Sequence, residues 1–308
     1  MLRITLFILL IGVIYPQVSW RRPVLPVGST MERNSSLAGK LLVGAGYEFE
    51  YLQDAFLEDR TEPISNPNNE RTTSEISSIF LNYSITDNFS VEAVLPWRKI
   101  VNAKVTPAKG GIYIRETEGF SDAIILLKHN DYYFDDQIMA TFGTGLKLAT
   151  GSVVDLDEDG DVISEVLQVG SGTVDPLFSL FLGYPNGRWL ISGSLFSRIS
   201  IYQNIRGYKY GNEFHSRISV NYDQSDAIFL KSGMETVYTQ RDTHQYENEG
   251  EDQRGGKWVY LVTGFGIRFS NNLILDVEYP VTIYYNVNES QLVPDGFLRL
   301  NLFYDWEL

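Results

Sequence analysis

The sequence predicts an all-β fold: a single antiparallel transmembrane β-barrel of the outer-membrane type, with about 12 strands. Three observations carry that expectation. The residues from Phe297 to the C-terminal Leu308 alternate, with Leu298, Leu300, Leu302, Tyr304, Trp306 and Leu308 on one face and Arg299, Asn301, Asp305 and Glu307 on the other. Phe303 is the apolar exception on the charged face. Successive side chains of a strand point to opposite faces, so the segment has one apolar and one polar surface. The same period-2 pattern recurs along the chain, and the gaps between segments alternate between short turns and long polar loops.

The N-terminus adds an export signal. Arg3 supplies a positive start, Ile4 to Ile14 is apolar apart from Thr5 and Gly12, and Pro16 to Ser19 breaks the run. Residues 1–19 therefore read as a signal peptide, residues 20–38 as a periplasmic lead-in and residues 39–308 as the barrel. The alternative is an uncleaved anchor, although the apolar run is short of the roughly 20 residues a membrane helix needs. A mean hydropathy of −0.13 suits a barrel with a polar lumen. Zero cysteines exclude disulfides and thiolate metal sites, and a net charge of −14 argues against nucleic acid as a partner. No linker or composition shift divides the chain.

The strands follow in order. The first sets Leu41, Val43, Ala45, Tyr47, Phe49 and Tyr51 against Gly44, Gly46, Glu48 and Glu50. The second runs through Ile79, Leu81, Tyr83 and Ile85, and the third opposes Phe89, Val91, Ala93, Leu95 and Trp97 to Ser90, Glu92 and Arg98. The fourth, about Phe120 to Asn130, is nearly continuous in hydrophobicity and leaves its register open. The fifth opposes Ile138, Ala140, Phe142 and Leu146 to Thr141, Gly143, Gly145 and Lys147. Phe178, Leu180, Leu182 and Tyr184 mark the sixth, and Trp189, Ile191 and Leu195 the seventh. The eighth has Phe214, Ile218, Val220 and Tyr222 against Glu213, His215 and Arg217; the ninth has Ile228, Leu230, Met234 and Tyr238 against Lys231 and Glu235. Val259, Leu261, Phe265 and Ile267 face outward in the tenth with Arg268 inward. The eleventh sets Leu273 through Tyr285, at alternate positions, against Asp276, Glu278 and Asn286; the twelfth is the C-terminal segment.

Short turns follow the even strands, at Thr86–Asn88, His129–Asp136, Pro185–Gly187, Asp223–Asp226 and Ser270–Asn272. Longer polar stretches follow most odd strands, among them Glu58–Thr73, Ile100–Glu118, Thr150–Gly170 and Asp242–Gly256. An even strand count with loop length segregated in this way is the organisation of outer-membrane barrels. Tyr51, Trp97, Tyr184, Trp189, Tyr222, Tyr238, Trp258, Tyr285 and Trp306 are expected in the interfacial girdles. Twelve strands about 4.8 Å apart and tilted about 40° give a backbone diameter of roughly 24 Å and a free lumen of about 10 Å.

The fourth to sixth strands carry a series of short motifs: Gly119-Phe120-Ser121-Asp122 with Lys128, then Lys147-Leu148-Ala149-Thr150-Gly151, then Gly170-Ser171-Gly172-Thr173-Val174-Asp175-Pro176. In this order they resemble the outer-membrane transporter family labelled for the meta-cleavage pathway of phenol degradation. Tyr279-Pro280 also fits, whereas Ser121 and Ala149 depart from the commoner Gly and Pro. The resemblance implies a porin-like barrel for uptake of aromatic or other small hydrophobic compounds.

The candidate lumen-lining residues along a solute path are Glu48, Glu50, Glu92, Arg98, Asp122, Lys128, Lys147, Asp175, Arg217, Lys231, Glu235, Arg268, Asp276, Glu278 and Arg299. Both signs on one narrow wall either set up a constriction or pair into a network that fills the lumen. Asp155, Asp157, Asp159 and Asp161, with Gly160, have the spacing of a Ca²⁺ loop, but position twelve is Val166 rather than Glu. No other cofactor is expected. His215-Ser216 invites a hydrolase reading, which neighbouring strand positions on opposite faces oppose. The expected protein is a non-enzymatic outer-membrane channel for small, hydrophobic or aromatic solutes; the alternative is a structural or surface-interaction barrel. Its expected partners are outer-membrane lipids and lipopolysaccharide, the barrel assembly machinery and small solutes.

Overall fold

The computed structural model describes residues 38–53, 55–57, 70–106, 111–133, 138–244, 255–288 and 290–307. The expected signal peptide and nearly all of the lead-in lie outside the described residues, as do most of Glu58–Thr73 and the middle of Asp242–Gly256.

The barrel strands are β1 (Lys40–Leu52), β2 (Arg71–Ser84), β3 (Phe89–Thr106), β4 in two stretches (Gly111–Phe120 and Ile124–Tyr133), β5 (Ile138–Lys147), β6 (Asp175–Asn186), β7 (Trp189–Arg198), β8 (Glu213–Asp223), β9 (Ile228–Thr239), β10 (Gly256–Arg268), β11 (Leu273–Val287) and β12 (Phe297–Glu307). Both stretches of β4 pair with β3, Trp97 opposite Phe120 and Val94 opposite Ile124, so they form one stave. Each strand pairs antiparallel with the next. The ring closes between β1 and β12, where Lys40 stands opposite Glu307 and Glu48 opposite Arg299. The chain is an outer-membrane-type barrel of twelve staves.

Alternation turns the molecule inside out relative to a soluble protein. Ile79, Leu95, Leu127, Phe142, Phe178, Leu195, Ile218, Leu230 and Leu302 are exposed on the outer face, whereas Glu92, Lys128, Asp175, Glu235 and Glu278 are buried inside. Lipid is the solvent such an exterior requires, which places the chain in the outer membrane. Residues 38–39 lie beside the turn after β2, since the Ala38 N–H donates to Asp87 Oδ1 (2.9 Å) and Gly39 N–H to the Ser84 carbonyl (2.9 Å). The other end of the chain joins them there, with Asp305 N–H on the Asn272 carbonyl (2.9 Å). The short turns therefore face the periplasm and the long connections the cell exterior.

The long polar connection expected over Ile100–Glu118 is instead a hairpin: β3 continues to Thr106 and β4 begins at Gly111, not near Phe120. Its alternation is polar on the inner face, where Asn102 accepts from Arg115 Nη2 (2.6 Å), so hydropathy alone hides it. The apolar run in β4 arises because both faces are apolar there: Ile125 and Leu127 face lipid, while Ile124 and Leu126 join an internal cluster. Trp258 and Tyr285 are not girdle residues. Trp258 shares the inner face with Tyr260 and Val262, and Tyr285 packs on that cluster. A register shift between Val259 and Tyr260 inserts Ile283 as an extra residue on β11, which flips Tyr285 inward. Trp97, Tyr184, Trp189, Tyr238 and Trp306 do face outward.

Candidate functional site

Among the described residues, three further internal assemblies line the barrel beside the Trp258 cluster. The first joins the extracellular connection between β5 and β6 to the wall. The backbone leaves the β4 ladder at residues 121–123, which frees Asp122 to accept from Gly151 N–H (3.1 Å) and Ser171 N–H (2.9 Å). Lys147 Nζ lies 3.1 Å from Asp122 and 2.8 Å from Asp175; Arg198 continues the chain to Asp175 (2.9 Å) and Glu213 (2.7 Å). Lys147 also donates to Ser171 Oγ. Around this node, Ser121 Oγ donates to the Val169 carbonyl and Thr117 Oγ1 to that of Leu167. A Cβ on Gly170 would lie 2.1 Å from the Gly151 carbonyl, so only glycine permits the two backbones to touch. Residues 163–171 are thereby folded inward, with Ile163, Val166 and Leu167 packed on Ile100 and Arg206 paired with Glu165 (3.1 Å).

The second assembly occupies the opposite wall at mid-height. Arg217 of β8 grips Glu278 of β11 with two bonds, Nη1–Oε2 at 2.9 Å and Nη2–Oε1 at 2.7 Å. Lys231 of β9 lies 2.7 Å from both Asp276 and Glu278. Arg299 of β12 reaches Glu278 (3.1 Å), Glu235 (3.4 Å) and Glu48 of β1 (3.1 Å). Gly264 stands opposite both Lys231 and Glu278, so β10 puts no side chain inward at that level and the side chains of β9 and β11 meet across it. Glu278 thus has three cationic partners, the condition under which a carboxylate can be withdrawn from water.

The third is an apolar strip formed by Leu42, Phe80, Val94, Ile124, Leu126, Leu177, Phe196 and Phe303, on the inner faces of β1–β4, β6, β7 and β12. Phe303, the apolar exception in the last strand, packs against Phe80 with ring centroids 6.4 Å apart. Gly44 provides the room: a Cβ there would lie 2.8 Å from the Phe303 ring. Below the strip Lys128 pairs with Glu92, both buried.

Among the remaining candidates, Glu50 and Arg98 are buried on β1 and β3, with Arg98 Nη2 donating to Ser74 Oγ (3.4 Å). Arg268 sits near the periplasmic rim, 2.6 Å from Asp223 and 4.7 Å above the Phe229 ring. Asp155, Asp157, Asp159 and Asp161 do not converge: among the described residues no three metal-binding side chains come together. Asp157 is occupied within its own turn, accepting from the N–H groups of Asp159 and Asp161 (both 3.0 Å) and from the Tyr113 hydroxyl. His215 is buried on the inner face and Ser216, the next strand position, points to the opposite face beside the outward Phe214 and Ile218, so the two do not form a base–nucleophile pair. Arg198, Glu213, Ser171 and Arg206 complete the assemblies; the polar loop positions among them have no periodicity to mark them.

No family model matches the chain, and no curated protein matches it. Solved structures do. The COG4313 outer membrane channel from Pseudomonas putida F1 superposes with a TM-score of 0.66 at 12% identity, over 87% of this chain and 96% of that one. The P. putida toluene transporter TodX gives 0.43 at 9% identity, over 87% and 90%. A Pseudomonas aeruginosa FadL homologue gives 0.42 at 11%, over 87% and 89%. At these identities the likeness to the first is one of fold.

Proposed function

We propose that the chain is an outer-membrane channel for small hydrophobic or aromatic solutes. The apolar strip from Leu42 to Phe303 carries this reading. Beside the ion-pair wall, the lumen carries this apolar strip on seven of its twelve staves, closely packed with every member at most 8% exposed, so that a solute passes as these side chains part. A solute with a ring and one polar group can keep each part against matching surface as it moves, so neither is left unsatisfied. The superposable COG4313 protein is described as an outer membrane channel, which agrees with this reading. The link to phenol degradation rests on the motifs Gly119–Asp122 with Lys128, Lys147–Gly151 and Gly170–Pro176, and on Tyr279-Pro280. Lipopolysaccharide and lipid contact the outer face, and the assembly machinery inserts the barrel.

A second reading has its own support. Arg217, Lys231, Glu235 and Glu278 are each at most 2% exposed as side chains, so the lumen is tightly filled at their level, as in a structural barrel. Uptake of phenol and toluene by lipopolysaccharide-containing vesicles, with and without the protein, separates the two. The channel reading requires faster uptake with protein and a reduction when Phe80→Asp places a charge in the apolar strip.

A further inference from the structure

A cavity of about 240 Å³ lies at the periplasmic end of the lumen. It reaches from Met139 of β5 to Asp276 of β11, and Leu190 and Phe229 form part of its apolar wall. Its roof is the underside of the ion-pair wall, since Lys231 and Asp276 belong to both. Three of its lining residues are cations, Arg188, Lys231 and Arg268, and two are acids, Asp223 and Asp276. The surplus is therefore one positive charge, although the chain as a whole carries −14.

From this lining we infer that the cavity is a binding site for a small aromatic monocarboxylate, which deepens and rests on the channel reading. The volume falls below the roughly 300 Å³ at which pockets for drug-sized ligands begin, so it accepts about one ring. The ring has an apolar bed in Met139, Leu190 and Phe229, and the Arg268 guanidinium carbon sits 4.7 Å from the Phe229 ring centroid. With Arg268 paired to Asp223 (2.6 Å) and Lys231 to Asp276 (2.7 Å), the surplus falls to Arg188; a carboxylate beside Arg188 neutralises it and shares the Arg268 guanidinium through charge-assisted hydrogen bonds. A cationic analogue meets the same surplus as repulsion. A solute leaving the apolar strip would pause here before the periplasm.

Purified full-length protein in detergent is titrated with benzoate, benzyl alcohol and benzylamine by calorimetry. The expected result is saturable benzoate binding and at least about tenfold weaker binding of the other two. Arg268→Gln should weaken benzoate about tenfold while leaving benzyl alcohol unchanged. Heat-modifiable migration of each variant verifies that the barrel is folded. Equal affinity for all three probes, or no saturable benzoate binding to a folded barrel, overturns the assignment. Failure here leaves vesicle uptake intact, whereas a barrel that binds benzoate yet transports nothing defeats the channel reading alone.

Discussion

Asp122 and Ser171, 49 positions apart, are joined twice through one carboxylate oxygen: Ser171 N–H donates to Asp122 Oδ2 at 2.9 Å, and its hydroxyl donates to the same atom. Asp122 closes the first of the three short motifs, Ser171 sits in the third, and Lys147 of the second touches both. Stretches that look like unrelated glycine-rich fragments in the sequence thus form one node. It holds the β5–β6 connection inside the barrel.

Removing the cation from this node should loosen the connection. Lys147→Met leaves Asp122 and Asp175 buried with less compensation, a loss of about 3–5 kcal/mol. Limited proteolysis should then cut within residues 148–174 faster than in the wild type, with cleavage elsewhere little changed. Gly170→Ala should act in the same direction by forcing the Gly151 contact apart, at about 1–3 kcal/mol.

On the opposite wall, Arg217→Met and Glu278→Leu should each destabilise the barrel by about 3–5 kcal/mol, because each leaves a buried charge network short of one partner. The double variant should recover part of that loss. Denaturant unfolding in detergent measures the cycle, and a strictly additive result would mean that the two side chains do not interact.

The outer face predicts a different sensitivity. Ile218 is 67% exposed toward lipid near the middle of β8. Ile218→Arg should cost about 2–4 kcal/mol at mid-membrane and lower the assembled, heat-modifiable fraction, whereas Ile218→Val should not.

Much of this architecture is legible in the sequence because a barrel writes one periodicity on every stave. Leu41 to Tyr51 and Leu298 to Trp306 show it directly. The hairpin between β3 and β4 escaped because its inner face is polar and its apolar residues Ile112 and Ile114 are sparse. The inward face of Trp258 follows from its position one residue from the outward Val259, whereas the inward turn of Tyr285 depends on a bulge with no compositional mark. Inner-face charges such as Glu278 and Arg299 could be assigned to a face, but not to partners. Partnership depends on the stagger between strands, and that emerges only when Glu48 is found opposite Arg299. The Asp155–Asp161 spacing is legible as a Ca²⁺-loop pattern, whereas the N–H groups of Asp159 and Asp161 that Asp157 accepts are not.

That local closure gives a further expectation. Tyr113→Phe removes the hydroxyl that ties Asp157 to β4, so proteolysis around residues 155–161 should accelerate. Millimolar Ca²⁺ should not slow cleavage in either protein; clear protection by Ca²⁺ but not Mg²⁺ would show that the carboxylates rearrange into a site.

The account turns on whether solutes cross the lumen, and vesicle uptake measures that most directly. Lipopolysaccharide-containing vesicles with purified wild-type protein, with Phe80→Asp protein, or without protein are mixed with labelled phenol, and entry is followed by rapid filtration. The account predicts entry fastest with wild type and reduced by Phe80→Asp, with both proteins showing intact heat-modifiable folding. Equal rates in all three preparations would contradict it and leave a closed structural barrel.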